Sequence, residues 1–342
     1  MKNTAIEWCD HTFNPWVGCT KVSPACDHCY AERSAPARVK RAGGVETWGP
    51  NGQRVRTSKA YWREPLKWNA EAERTGTRPR VFCASLADVF DNAVPPEWRA
   101  DLFDLIADTR NLDWLLLTKR VGNVMKMANE VADMPRLGSH TGHLLAHQWR
   151  NGRPPKNVWL GATVVNQEEA DRDITKLLAV PAAKRFLSIE PLLGQLNLTD
   201  VPMPGSGHGH HEFSPIITGN SLKRADPSSP KIDWVIVGGE SGPGARPMHP
   251  DWVRSLRDQC TSAGVKFFFK QWGAWRPPKE GEEYSTAMGR AQSVPAFIIA
   301  LTGTVHCFEN HPTTDGGSAM LRVGKKSAGR LLDGREWDEV PV

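Results

Sequence analysis

The stretch NVWLGATVVNQEEADRDITKLLAVPAAKRFLSIEPLL (157–193) decides the fold class. Residues 157–165 form an almost unbroken apolar run of strand length, and RFLSIEPLL (185–193) forms a second. Such runs suit strands covered on both faces. Between them, NQEEADRDITKLLAV (166–180) opens on an Asn cap followed by an acidic first turn, the signature of a helix start. Strand, helix and strand in that order predict a βαβ unit and hence parallel pairing.

The same pattern extends in both directions. RVFCASL (80–86), DWLLLTKR (113–120), DWVIVGGE (233–240) and VKFFFKQWG (265–273) are further apolar runs of strand length. PPEWRADLFDLIADTR (95–110) opens with proline and sets Leu102, Leu105 and Ile106 at helical spacing. HPDWVRSLRDQCTSAG (249–264) ends on Gly264, a helix stop. With one more strand implied before Cys19, the chain has about seven. The expected fold class is α/β, a full or partial (β/α) barrel of TIM type with parallel strands. The runs end in SLADVFD, TKR, TVVNQ, IEP, GGESGPG and KQWG, and the C-terminal strand ends are where such folds carry chemistry.

The expected organisation is a barrel over residues 1–275 and an extension over 276–342 that packs on it. Stretches 134–156 and 204–231 read as loop insertions. His208, His210 and His211 lie in the second, where a His-bearing loop is the plainer reading than a metal site. No internal repeat is visible.

Bulk composition narrows the setting. Of 342 residues, 39% are hydrophobic, enough for a full core. The net charge of +5 permits an acidic partner such as nucleic acid without demanding one. Fourteen Trp suit either a core or a base-stacking surface. No apolar run reaches the ~18 residues that span a bilayer, and MKNTAIEWCDHTF lacks the apolar stretch of a secretion signal. The expected location is therefore the cytoplasm, with no membrane partner. Seven Cys are too few and odd in number for a disulfide scaffold.

Three of those cysteines are clustered. GCTKVSPACDHCY places six residues between Cys19 and Cys26 and two between Cys26 and Cys29, with Gly18 and Pro24 to turn the loop. Three thiolates make an incomplete shell for an iron–sulfur cluster, which normally takes four. One iron is then left open to an external ligand, the basis of S-adenosylmethionine activation. Structural zinc would want a fourth ligand, for which Cys9, His11 and His28 are candidates. Inert buried thiols account for Cys83, Cys260 and Cys307, which stand singly, but poorly for the triple cluster.

The cluster follows the strand-like FNPWVG (13–18) and precedes the helix-like YAERSAPARVKR (30–41), an arrangement similar to that of radical S-adenosylmethionine enzymes. NPWVGCTKVSPACDHCYAE, SLADVFD, LLLTKR, WLGATVVNQ, LSIEPLLG, WVIVGGESGPGARPM, FFFKQWG and GKKSAGRLLDGREW occur in order. Together they resemble the phage- and prophage-associated three-Cys-motif family, a radical-SAM-like family otherwise of unknown function. The likeness runs from Ile6 to Pro341 apart from the two insertions. It implies a [4Fe-4S] cluster on Cys19, Cys26 and Cys29, bound S-adenosylmethionine and an electron donor. Here the cysteines are spaced by six and then two, where the common radical-SAM motif has three and then two. His28 stands where an aromatic residue often precedes the last cysteine.

The remaining candidates lie at strand ends. Ser85 and Asp88 follow the second strand, where the resemblance implies a hold on the cofactor amino group; a capped turn is the structural alternative for Asp88. Lys119 and Arg120 suit the cofactor carboxylate or a substrate phosphate, or else a solvated pair. Thr163 and Asn166 suit the carboxylate or ribose. Glu190 is a carboxylate after an apolar run, suited to ribose binding or proton transfer. Glu240 follows the same logic, with glycines that admit a ligand. Glu190, Glu240 and Lys119 are the catalytic candidates. Arg246 and Lys270 complete a ring of charge at the strand ends; Lys270, Gln271 and Trp272 suit a nucleobase or a polar substrate, with simple packing the alternative for Trp272. GKKSAGR (324–330) lacks Walker spacing, and no strand is followed by a dinucleotide fingerprint. The reading is a radical S-adenosylmethionine-type enzyme, with a nucleic acid or nucleotide as the attractive substrate. A zinc-dependent nucleic-acid-binding module is the alternative, and a barrel that keeps its cluster for structure alone is a third.

Overall fold

A computed structural model describes residues 1–39, 44–135, 141–204, 217–280, 282, 296–306 and 316–342. Seven strands form one parallel sheet in sequence order: β1 (His11–Thr12), β2 (Arg80–Cys83), β3 (Asp113–Thr118), β4 (Val158–Thr163), β5 (Lys184–Ile189), β6 (Trp234–Gly238) and β7 (Lys266–Gln271). Helices α1 (Tyr30–Val39), α2 (Glu64–Thr75), α3 (Pro96–Asp108), α4 (Val124–Asp133), α5 (Thr141–Arg150), α6 (Gln167–Ala179) and α7 (Pro250–Ala263) lie in the connections between successive strands, except that no helix is described between β5 and β6. The α/β class and the strand count match the sequence reading. Every residue of β4 is buried, as its unbroken apolar run requires. Gly161 lies under the Phe186 ring, where an added Cβ would come within 2.3 Å.

The sheet does not close on itself among the described residues, because both of its edges are already taken. Thr12 N–H donates to Met1 O at 3.0 Å, and Lys2 bridges His11 in antiparallel fashion. Phe269 N–H on β7 donates to Trp337 O at 2.8 Å, and Phe268 bridges Asp338. Met1 and Lys2 beside β1, and Trp337 and Asp338 beside β7, thus engage outer backbone groups that the two edge strands would otherwise share.

Three local expectations change. The sheet strand before the cysteines is His11–Thr12, upstream of FNPWVG. Phe13 N–H still reaches Phe82 O at 2.9 Å, but Pro15 has no N–H to continue the ladder. Trp16–Val17 then pairs antiparallel with Val55–Arg56. Within 134–156, read as a loop, Thr141–Arg150 is helical, and Leu145, Ala146 and Trp149 are buried. Trp149 Nε1 donates to Pro181 O at 2.6 Å. Its core position, rather than helix propensity, orders that stretch. Within 204–231, Thr218–Gly219 pairs with Val201–Pro202, while His208, His210 and His211 lie outside the described residues, as does Cys307.

The chain forms two compact units: Met1–Thr163 with Lys176–Phe186, and Val164–Thr175 with Leu187–Val342. The second unit includes a four-stranded antiparallel sheet of β8 (Trp275–Arg276), β9 (Ala296–Ile299), β10 (Val305–His306) and β11 (Ser318–Arg322), in the order β8-β11-β9-β10. Among the described residues no helix is long and apolar enough to cross a membrane. Ten of the fourteen Trp are buried and the other four half-buried, so their number reflects core packing.

Candidate functional site

In the first unit the cysteine loop begins at Gly18, whose φ of +118 and contact with Thr47 O, 2.4 Å from any added Cβ, leave room only for glycine. Gly18 N–H donates to Leu86 O at 3.0 Å, which ties the loop to the residues beyond the C-terminal end of β2. Pro24–Cys26 forms one 3₁₀ turn capped by Ser23, whose side chain accepts from Ala25 N–H at 3.1 Å. Cys29 leads into α1, and the Tyr30 hydroxyl donates to Ser85 O at 2.9 Å. Cys26 is buried, and Cys19 and Cys29 are half-buried. The Cys19 sulfur accepts from Arg120 Nη1 at 3.5 Å and lies 3.6 Å from Thr20 O. Burial pushes the Cys19 thiol up to about 11; Asp88 adds to this and Arg120 opposes it.

Three reduced thiols on one loop are a donor set that fits a thiophilic cluster chemically. Their side chains are not converged: among the described residues no group of three or more His, Cys, Asp or Glu side chains is gathered closely enough to hold an ion. The turn that carries Cys26 and Cys29 has local backbone bonds, Cys26 N–H to Ser23 O and Cys29 N–H to Cys26 O. The candidate zinc ligands Cys9 and His11 sit elsewhere. His11 pairs with Val81 on β2, whereas Gly18 pairs with Ala87, six residues further along. The His11 ring packs on Trp68, with ring centroids 4.5 Å apart. His11 Nδ1 already accepts from Asn3 N–H at 3.2 Å.

Asp88 holds a dense network beside this loop. Its carboxylate accepts from Phe90 N–H (2.9 Å), Thr118 Oγ1 (2.8 Å), Lys119 N–H (3.0 Å) and Arg120 Nη1 (3.1 Å). Arg120 Nη2 donates to Thr20 O at 2.7 Å. Burial alone would push Arg120 down, but Asp88, Cys19 and Asp91 hold it above its ordinary value. Ser85 Oγ exchanges hydrogen bonds with the Asn14 side chain at 3.1 and 3.3 Å. Thr163 Oγ1, at the end of β4, is buried and has no partner among the described residues. The Lys119 side chain is half-buried.

In the second unit Glu190 follows β5 and is gripped by Lys270 Nζ at 2.8 and 2.9 Å and by Gln271 Nε2 at 3.2 Å. It reaches them across β6 at Gly238, where a Cβ would stand 3.3 Å from the Glu190 carboxylate. Glu240 forms a two-pronged pair with Arg246, at 2.8 Å to Nε and 2.7 Å to Nη2. The room at Gly238 and Gly239, read from sequence as space for a ligand, is filled by Glu190 and by Trp272 O, the latter 2.0 Å from a Cβ on Gly239. Asn166 Oδ1 accepts from Glu169 N–H at 2.9 Å and caps α6. Trp272 is buried and donates to Leu331 O at 2.8 Å. A groove of about 570 Å³ on α7, lined by residues such as Asp251, Arg254 and Asp258, includes none of these candidates.

Sequence reasoning missed Asn14, Thr20, Arg54 and Asp91. Asn14, Thr20 and Asp91 stand inside the quoted blocks and could have been flagged there. Arg54 lies in the polar GQRVRTSK and carries no such signal.

A family model described as a protein of unknown function (DUF5131) matches residues 3–341. Neither the curated proteins nor the solved structures contain a match.

Proposed function

We propose that this chain, which belongs to the DUF5131 family, is a radical S-adenosylmethionine-type enzyme in which Cys19, Cys26 and Cys29 hold a [4Fe-4S] cluster. The observation that carries the reading is the place of the cysteine loop. It leaves the C-terminal end of β1 and is tied by Gly18 to the residues past the end of β2, and parallel α/β folds carry their chemistry at that end of the strands. The partial barrel expected of such enzymes agrees with a parallel sheet in sequence order. The resemblance of the sequence blocks to the phage-associated three-Cys-motif family supports the same reading. The engagement of His11 with Asn3 and Trp68 counts against a zinc site completed by it.

A reduced cluster of this kind, when loaded, supplies an electron that cleaves bound S-adenosylmethionine to a 5′-deoxyadenosyl radical able to take a hydrogen atom from substrate. The chain's own residues supply the surroundings. Arg120 places a cation beside Cys19, and Thr163 offers a buried, unpartnered hydroxyl at a strand end for a polar group of the ligand. The Glu190 side chain, 22% exposed beside Lys270, suits a ribose hydroxyl or a proton transfer. The case for a nucleic-acid or nucleotide substrate rests on the mild positive charge. Most of the Trp residues are core, and Arg120, Arg246 and Lys270 are each paired with a carboxylate.

The test is anaerobic purification followed by iron, sulfide and zinc analysis with a visible spectrum. Near-equal iron and sulfide, with a broad brown absorbance that Cys26→Ala abolishes, is the expected result. Stoichiometric zinc in a colourless protein that resists reconstitution with iron and sulfide would overturn it.

A further inference from the structure

Two buried arginines of the first unit converge on one residue of the cysteine loop. Arg54 Nη2 donates to Thr20 Oγ1 at 2.8 Å, and Arg120 Nη2 donates to Thr20 O at 2.7 Å. Each is anchored by its own buried carboxylate: Arg54 by Asp91 at 2.7 Å, and Arg120 by Asp88 at 3.1 Å. Asp91 also stands 3.9 Å from Arg120, which joins the two pairs into one array. Arg54 is fixed further by Gly52 O at 2.8 Å. No lysine could make these contacts, because each arginine uses several N–H groups of its planar fork at once.

A buried ion pair of this kind contributes little net stability, since desolvation offsets most of the attraction. Its use is therefore better sought in what it holds in place. The array grips the Cys19 end of the loop, while the end carrying Cys26 and Cys29 is held by a 3₁₀ turn, the start of α1 and the Tyr30–Ser85 bond. We infer that Arg54 and Arg120 form a positioning clamp that presets Cys19, the first cluster thiol, and that Asp88 anchors this clamp rather than holding the cofactor amino group. The four donors already on Asp88 leave its carboxylate oxygens no open site for an ammonium group. The inference rests on the cluster reading above for its redox consequence, but not for the clamp itself. An arginine N–H on a ligand sulfur, with its positive charge, makes a cluster easier to reduce.

The test compares the full chain with Arg120→Lys, which keeps the charge, and Thr20→Val, which removes the hydroxyl that Arg54 grips and that itself donates to Gly49 O at 2.9 Å. In metal-free protein, hydrogen exchange of the peptide covering residues 18–29 should accelerate roughly tenfold in Arg120→Lys, the size of one lost charge-assisted hydrogen bond, and less in Thr20→Val. Exchange in β2 and β3 should stay unchanged. In cluster-loaded protein, Arg120→Lys should keep its iron and sulfide but show a more negative midpoint potential. Unchanged exchange at 18–29 in both variants, or equal acceleration in the loop and in both strands, overturns the clamp. An unchanged potential at full cluster load overturns its role toward the cluster. If wild-type protein takes up no iron and sulfide, the radical reading fails, and the exchange measurement still decides the clamp.

Discussion

Asp88 in the first unit and Glu190 in the second are the same kind of residue in the same kind of place. Each is a carboxylate just past a parallel strand, and each pairs with a cation. They differ in what surrounds the pair. The Asp88 and Arg120 side chains are 7% and 9% exposed, and Asp88 accepts two backbone N–H groups and a hydroxyl besides the guanidinium. Glu190 and Lys270 are 22% and 14% exposed, and among the described residues Glu190 has only side-chain partners. A carboxylate whose oxygens are filled by backbone N–H groups and buried side chains is part of the scaffold. One held only by flexible side chains can exchange them for a ligand. A strand-end carboxylate is therefore not evidence of a site until its donors have been counted.

The comparison can be broken by substitution. Asp88→Ala leaves Arg120 buried without its main partner and should cost about 3–5 kcal/mol in urea unfolding. A loss below 1 kcal/mol would mean that the network is not structural. Next in size is a pH effect that belongs to the first unit. The folded Cys19 thiol is raised from 9.0 to about 11, so its contribution to stability is complete below pH 9 and is lost as pH rises through 11. Metal-free protein should lose stability across that window, and Cys19→Ser should remove part of the loss. An identical alkaline profile in the variant would show that burial does not govern this thiol. The smallest effect on stability belongs to Glu190→Gln. It should cost about 1 kcal/mol or less, because the pair is partly solvated, yet it should abolish turnover or cofactor binding if the proposed role is right. Full activity in this variant would place Glu190 with Asp88 as scaffold.

The sheet was legible because strand and helix periods are local. Six apolar runs became six strands, and the proline start of α3 and the glycine stop of α7 stood where they were read. The two-residue β1 was misplaced downstream, since FNPWVG is more strand-like than His11–Thr12 and only Pro15 betrays the break. Helix α5 was hidden among polar and glycine-rich neighbours. What orders it is the burial of Trp149 against Phe90 and Phe103, which no local pattern announces.

The individual site residues were visible one by one, but their pairings were not. Asp88 meets Arg120 across adjacent strands, Glu190 reaches Lys270 across the backbone of Gly238, and Arg54 arrives from a stretch with no motif. Composition, strand period and cysteine spacing thus determined the α/β class, the strand count and the thiol-bearing loop, because each is written in neighbouring residues. Tertiary structure alone decided that residues at both ends of the chain fill the sheet edges, and that Asp88 is saturated while Glu190 is not. Hydrogen-bond satisfaction depends on which distant backbone and side-chain groups arrive at the same point, and only folding brings them there.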